Sequence, residues 1–442
     1  MKKTSSVMSA LALLGALATT GCDLNDILGV QPANLIPAVD LEIPANAALL
    51  VNGAAADFDC AFNSYAAASA LITGEFVDAL QTADRWPYHQ RTVAPNMSRY
   101  SSFSCTALGV YTPLQSARVS ANNIRSLMAG WTDVQVPNRQ LLIARAAVYE
   151  GWAQLLLAET FTETVFSSVT GETVNWGTII TRSQALDSAI ATLTTAITTA
   201  LAVGGVSADS IQFFALVGRA RAHHSKAYIA NAANPDLSTA RADAVIVPAD
   251  FQWRTTASGT VARRQNRIFQ ESSPTVTQQN ASVGPYYRTL NDPRVPVQNM
   301  NRNSNGTNVP QWAQLKYTAV TSPLPVATGA EMQLLIAEAD RSGGSCAIST
   351  QVIIASFRTA GSQPAYIACV DPAADLAEIQ DQRRRALWLQ GTYLGDVIRY
   401  NITLDPPAGT DTPWGQQYGS HVGSDQLLPL PDVERQNNPL LN

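Results

Sequence analysis

The sequence predicts a mainly α-helical protein, with tetratricopeptide-like antiparallel helix pairs in a superhelical scaffold carrying long irregular loops. Three observations predict it. Long segments repeat apolar residues at helical spacing, short polar breaks separate them, and a stretch rich in Asn, Pro, Gly, Thr and aromatics interrupts the series. The repeat is not visible as self-similarity, so the pairing is inferred from helix length and spacing alone.

The N-terminus reads as an export signal. Lys2 and Lys3 precede an apolar stretch, Met8 to Ala18, too short for the ~20 residues a membrane-spanning helix needs. It ends in Thr19-Thr20-Gly21-Cys22, which resembles a bacterial lipobox, with Thr19 where Leu is usual. Residues 1–21 are thus expected to be a signal peptide and Cys22 the lipidated first residue of the mature chain. The alternative is a plain secreted protein in which Cys22 is incidental. Residues 22–44 carry three prolines and no helical period, and are expected to form a flexible tether. Residues 45–442 are expected to form a single binding domain.

Helices follow in order. Ala146, Tyr149, Ala153 and Leu156 share one face, and Leu186, Ile190, Leu193 and Ile197 form a second stripe with Ser183 as a candidate N-cap. Phe213, Leu216, Val217, Ala220, His224 and Ala227 make a third. The region from about Pro248 to Pro325 has no clear period, and a long stretch of that kind inside a compact protein is either functional or a wrong assignment of its elements. Helix returns at Met332, Leu335, Ile336 and Ala339, and again from about Ala373 to Tyr400.

Composition narrows the function. Hydrophobic residues make up 46%, ample for a core, while charged residues reach 14%, below the ~25% usual in soluble proteins. A net charge of −5 without a basic block argues against nucleic acid. With Cys22 acylated, Cys60, Cys105, Cys346 and Cys369 remain and allow three pairings. Cys60–Cys105 and Cys346–Cys369 are favoured because each joins residues near in sequence. No CxxC occurs and there are only four His, so no metal site is expected. Nucleophile-elbow, zincin, P-loop and dinucleotide motifs are absent, and no cofactor or catalytic role is assigned. Arg383 shares a face with Ile379 and is expected to point inward and need acceptors. Asp396 and Arg399, at i and i+3, read as a helix-surface pair, while Glu331 and Glu338 share a face without further support for acid–base chemistry. His224, on an apolar face, reads as a hydrogen-bonded core residue.

The aromatics carry the functional signal. Trp86 and Tyr88, Tyr286 and Tyr287, and Trp312 with Tyr317 stand in polar, Pro-containing contexts outside the helical stripes. Such rings either stack on a sugar or a peptide side chain, or pin irregular loops into the core. Trp86, Tyr287 and Trp312, with Tyr88 and Tyr286 beside them, are the candidate ligand-binding residues.

Four stretches resemble one family. "GAEMQLLIAEA", "DQRRRALWLQGTYLGDVIRYN", "LPLPDVERQNNPLLN" and the early helix "ARAAVYEGWAQLLLAETF" resemble the SusD/RagB nutrient-binding lipoproteins, in the family's order. Arg383, Leu387, Gly391, Asp396, Arg399, Glu434 and Asn438-Pro439 match its pattern, whereas Gln382, Ala386 and Gln390 stand where the family has Glu. The resemblance implies a lipid-anchored outer-membrane protein facing the cell exterior that caps a TonB-dependent transporter. It also implies a helical fold supporting ligand-binding loops, and glycan-binding members use aromatics from comparable regions. The expected function is capture of a glycan or peptide for delivery to that transporter, without catalysis. The alternative is a lipid-anchored surface hydrolase of polysaccharides.

Overall fold

The computed structural model describes residues 38–80, 82–171, 173–229, 235–276, 279–305, 307–412 and 421–442. The signal peptide, Cys22 and the tether as far as residue 37 lie outside the described residues. The end of the tether departs from expectation. Ala38–Leu41 forms a helical turn, α1, and Pro44–Asn46 a 3-10 turn with Pro at its start, where no N–H is needed.

The scaffold is a run of helices packed in sequence order. These are α2 (Ala47–Ile72), the short α3 (Trp86–Gln90) and α4 (Ser98–Ser101), α5 (Tyr111–Ala129), α6 (Arg139–Thr160), α7 (Arg182–Val203), α8 (Val206–Ile229) and α9 (Pro235–Ala244). Side-chain partners fix their directions. Arg125 reaches Glu150 while Gln115 reaches Val165, so α5 and α6 run antiparallel. Arg182 near the start of α7 donates to Ala158 O near the end of α6. His223 and Arg219 of α8 meet Asp236 and Asp243 of α9 in reversed order, which is again antiparallel. Paired helices of the tetratricopeptide kind therefore form the scaffold.

α6 is its centre, buried on all sides from Ala146 to Thr160. Trp152, Phe214 and Trp253 stack there at 5.3 and 4.6 Å between centroids, each such pair contributing about 0.5–1.5 kcal/mol beyond area burial. By length and composition α6 and α7 would suit a membrane, but both pack among the other helices. The start of α7 lies earlier than expected. Thr181, not Ser183, is the N-cap, because Gln184 three residues on completes a reciprocal capping box.

The later helices are α10 (Arg267–Glu271), α11 (Gly329–Ser342), α12 (Ile348–Ala360), α13 (Pro372–Ala386), α14 (Tyr393–Arg399) and α15 (Asp432–Asn437). The expected single helix from Ala373 to Tyr400 is interrupted after Ala386. Leu389 and Gly391 take positive φ there, and Leu389 N–H donates to the buried Glu75 carboxylate at 2.8 Å instead of continuing the helix.

The described residues include five antiparallel strand pairs: β1 (Phe76–Asp78) with β7 (Ala281–Val283), β2 (Glu163–Val165) with β5 (Ile179–Thr181), β3 (Ser168–Thr170) with β4 (Thr173–Asn175), β6 (Gln252–Arg254) with β10 (Pro325–Thr328), and β8 (Val297–Asn303) with β9 (Pro310–Gln314). Most are three residues long, too short for alternation to register in sequence. The middle region, without a readable period, holds the short strands β6 to β10.

Both expected disulfides form. Cys60–Cys105 ties α2 to the turn before α5, and Cys346–Cys369 closes the loop containing α12. Arg383 is fully buried and donates to both Asp396 oxygens at 2.9–3.2 Å, as its place beside Ile379 required. Asp396–Arg399 is buried too, not a surface pair, because Arg399 continues inward to Glu159 at 2.9 Å. Arg221 meets the same carboxylate at 2.6 Å. His224 is a core residue, with Nε2 2.9 Å from Glu338, which also accepts from Tyr228 and Tyr400. Glu331 lies 3.8 Å from Arg383. Both glutamates are thus buried members of a charge network.

Candidate functional site

Three segments distant in sequence meet in one layer beside the helices. β1 pairs with β7 in register Phe76↔Val283 to Asp78↔Ala281. The Ser282 hydroxyl donates to Pro310 O at 2.7 Å and accepts from Trp312 N at 2.9 Å, which attaches β9 to β7. Thr307 donates to Ala79 O at 2.9 Å, and Val77, Ala79 and Val309 close a small apolar cluster between the same segments. α3, carrying Trp86 and Tyr88, packs against β1. The segments holding Trp86, Tyr286, Tyr287 and Trp312 are therefore neighbours.

A glycine sets the geometry of the tyrosines. Gly284 N–H donates to Glu75 O at 2.8 Å, and a Cβ on Gly284 would fall 1.9 Å from Gly74 O. That approach turns the chain into a 3-10 helix, Pro285–Thr289, on which consecutive side chains point about 120° apart. Tyr286 is half-buried and its hydroxyl donates to Asp381 at 2.5 Å. Tyr287 is fully buried, stacked on Trp388 at 5.7 Å, and its hydroxyl accepts from Arg384 Nε at 3.1 Å.

Two of the five expected contact residues are thus core. Tyr287 presents no face to solvent, and Tyr88 is equally enclosed, its hydroxyl donating to Leu108 O at 2.7 Å. They pin the loops, the second of the two roles open to such rings. Trp86, Tyr286 and Trp312 are the half-buried members.

Arginines support these rings, and the sequence reading passed over them. Arg384 lies 3.4 Å from the Tyr286 centroid, 5.1 Å from Tyr287 and 4.9 Å from Tyr393. Its signal was present: in "QRRRA" each successive residue turns about 100°, so only Arg383 can share Ile379's face. Arg288 stands 6.0 Å from the Trp312 ring, and burial pushes its guanidinium down to about 10. Burial likewise pushes Glu75, beneath the layer, up to about 7. The layer therefore offers partly exposed rings set among amides and cations. That arrangement can hold a ligand by stacking and hydrogen bonds, and no group of three or more candidate metal ligands occurs among the described residues.

A helical-repeat scaffold bearing a layer of short paired strands defines the class of protein. Neither a protein-family model nor a curated protein sequence matches the chain. Solved structures do match. A SusD superfamily protein from Parabacteroides distasonis aligns with TM-score 0.67 and 13% identity, covering 89% of this chain and 97% of its own. A SusD homolog from Bacteroides thetaiotaomicron gives 0.67 and 14%, covering 90% and 96%. Surface glycan-binding protein A from Bacteroides uniformis gives 0.65 and 13%, covering 89% and 98%. The chain has the SusD-superfamily fold.

Proposed function

We propose that the chain is a SusD-like, cell-surface lipoprotein of the outer membrane, anchored through Cys22, that captures a glycan and passes it to a TonB-dependent transporter. The observation that carries this reading is the SusD-superfamily fold over about nine-tenths of the chain, shared with surface glycan-binding proteins. Residues 45–442 act as one binding domain, and the ligand is held without being cleaved. Trp86, Tyr286 and Trp312 supply the stacking contacts, with Tyr88 and Tyr287 holding them from behind.

The test is affinity electrophoresis of the full chain through gels containing candidate polysaccharides, with an assay for released reducing ends. Retardation without fragments is expected, and Trp312→Ala or Trp86→Ala should weaken binding about 5- to 30-fold, the equivalent of ~1–2 kcal/mol. Both rings are half-buried and Trp312 packs against the core, so each variant should also lose some stability, and affinity is compared at a temperature where the fold is intact. Fragment release would favour the hydrolase, and unchanged affinity in both variants would place the site elsewhere.

A further inference from the structure

A groove of about 580 Å³, within the range of small-ligand sites, runs along α5 and shares no residue with the aromatic layer. We infer that it is a binding site for a short neutral saccharide. Its two walls differ in chemistry. Ser116, Ser120 and Asn123 of α5 lie at i, i+4 and i+7, so they form one stripe facing the groove. Asn123 lines the groove with its amide, although the amide oxygen itself is shielded from solvent and has no hydrogen-bond partner among the described residues.

The opposite wall is the β3–β4 hairpin and the residue after it, where Val174 and Trp176 are each 40% exposed. Glu434 and Asn437 of α15 close one end. A pyranose ring matches such a groove, because it has an apolar C–H face for the indole and a rim of hydroxyls for the serine and amide stripe. Charge favours a neutral sugar. The Arg118 guanidinium is turned to Gln115, Ser167 O and the Phe166 ring, and the Glu434 carboxylate accepts from Tyr111 at 3.1 Å.

The wall is built to hold its shape. Gly177, next to Trp176, donates to Ser167 Oγ at 3.1 Å, and a Cβ there would sit 2.6 Å from Phe166 O. The fully buried Asn438 amide donates to Gly177 O at 2.9 Å. Asn438 thus holds the backbone of the residue after Trp176.

The inference rests on the groove's own chemistry and is tested apart from the aromatic layer. The full chain in detergent micelles is titrated calorimetrically with neutral trisaccharides of glucose, xylose, mannose and galactose, and with uncharged tripeptides. Binding of at least one trisaccharide is expected. To separate the two sites the titrations are made in the Trp86→Ala/Trp312→Ala background, where trisaccharide binding should persist; adding Trp176→Ala or Asn123→Ala to it should weaken binding about 5-fold or more. The assignment is overturned if no trisaccharide binds in that background, or if neither added substitution changes the affinity. Tripeptide binding in place of sugar overturns it as well.

Discussion

Glu159 illustrates how a single buried residue organises this molecule. Burial would raise its carboxyl, but the charges of Arg221 and Arg399 outweigh that and hold it at about 2, against 4.5 for an ordinary glutamate. A depressed acid contributes stability that is fully present above 4.5 and is lost as pH falls toward 2. Glu159→Gln should therefore flatten the acid limb of the stability curve between those values. At neutral pH it should cost about 3–5 kcal/mol, because two buried guanidinia lose a partner. Urea unfolding at stepped pH measures both, and an unchanged acid slope would refute the role given to this carboxylate. The inward placement of Arg383 was legible beside Ile379, since a charge on an apolar face must find acceptors. Its acceptor was not, because Asp396 comes from another helix.

Among elements, the 3-10 turn after β7 decides which aromatic meets solvent. Pro285 and Gly284 mark a turn in the sequence, yet nothing there says which tyrosine faces outward; the close approach of Gly284 to Gly74 sets that. Gly284→Ala should separate β7 from β1 and cost about 1–3 kcal/mol, the range for overpacked sites. Thermal unfolding and tryptophan emission check it, and a variant as stable as wild type with an unshifted spectrum would contradict the contact. The start of α7 teaches a related lesson. Thr181 and Ser183 both suit an N-cap, and Gln184 three residues after Thr181 selects between them.

For the molecule as a whole, two disulfides join what the helix pairs do not. Cys60–Cys105 spans 45 residues and Cys346–Cys369 spans 23. Chain entropy assigns them about 4 and about 3 kcal/mol respectively. Alanine at both cysteines of each pair should lower the urea midpoint in that order, as equilibrium unfolding under non-reducing conditions would reveal. A larger loss from the 346–369 pair would contradict an entropic origin. Their positions agree with the ranking. Cys60 lies inside α2 against the core, whereas Ile348, Ile367 and Val370 around the second bridge are strongly exposed.

The sequence by itself determined α6, α7, α8 and α11, where a 3.6-residue period stands out, but not α2, which is longer still yet buried over most of its surface and so shows no stripe. It also favoured the disulfide pairings that form, and it carries the stretches that resemble the SusD family. Tertiary structure alone decided the rest. Strands of three residues have no period to read, so β1 and β7 exist only through each other, some 200 residues apart. Burial of Tyr88 and Tyr287, against partial exposure of Trp86, Tyr286 and Trp312, was decided the same way. All five rings sit in similar local sequence, and whether a ring meets water depends on which distant backbone is packed over it.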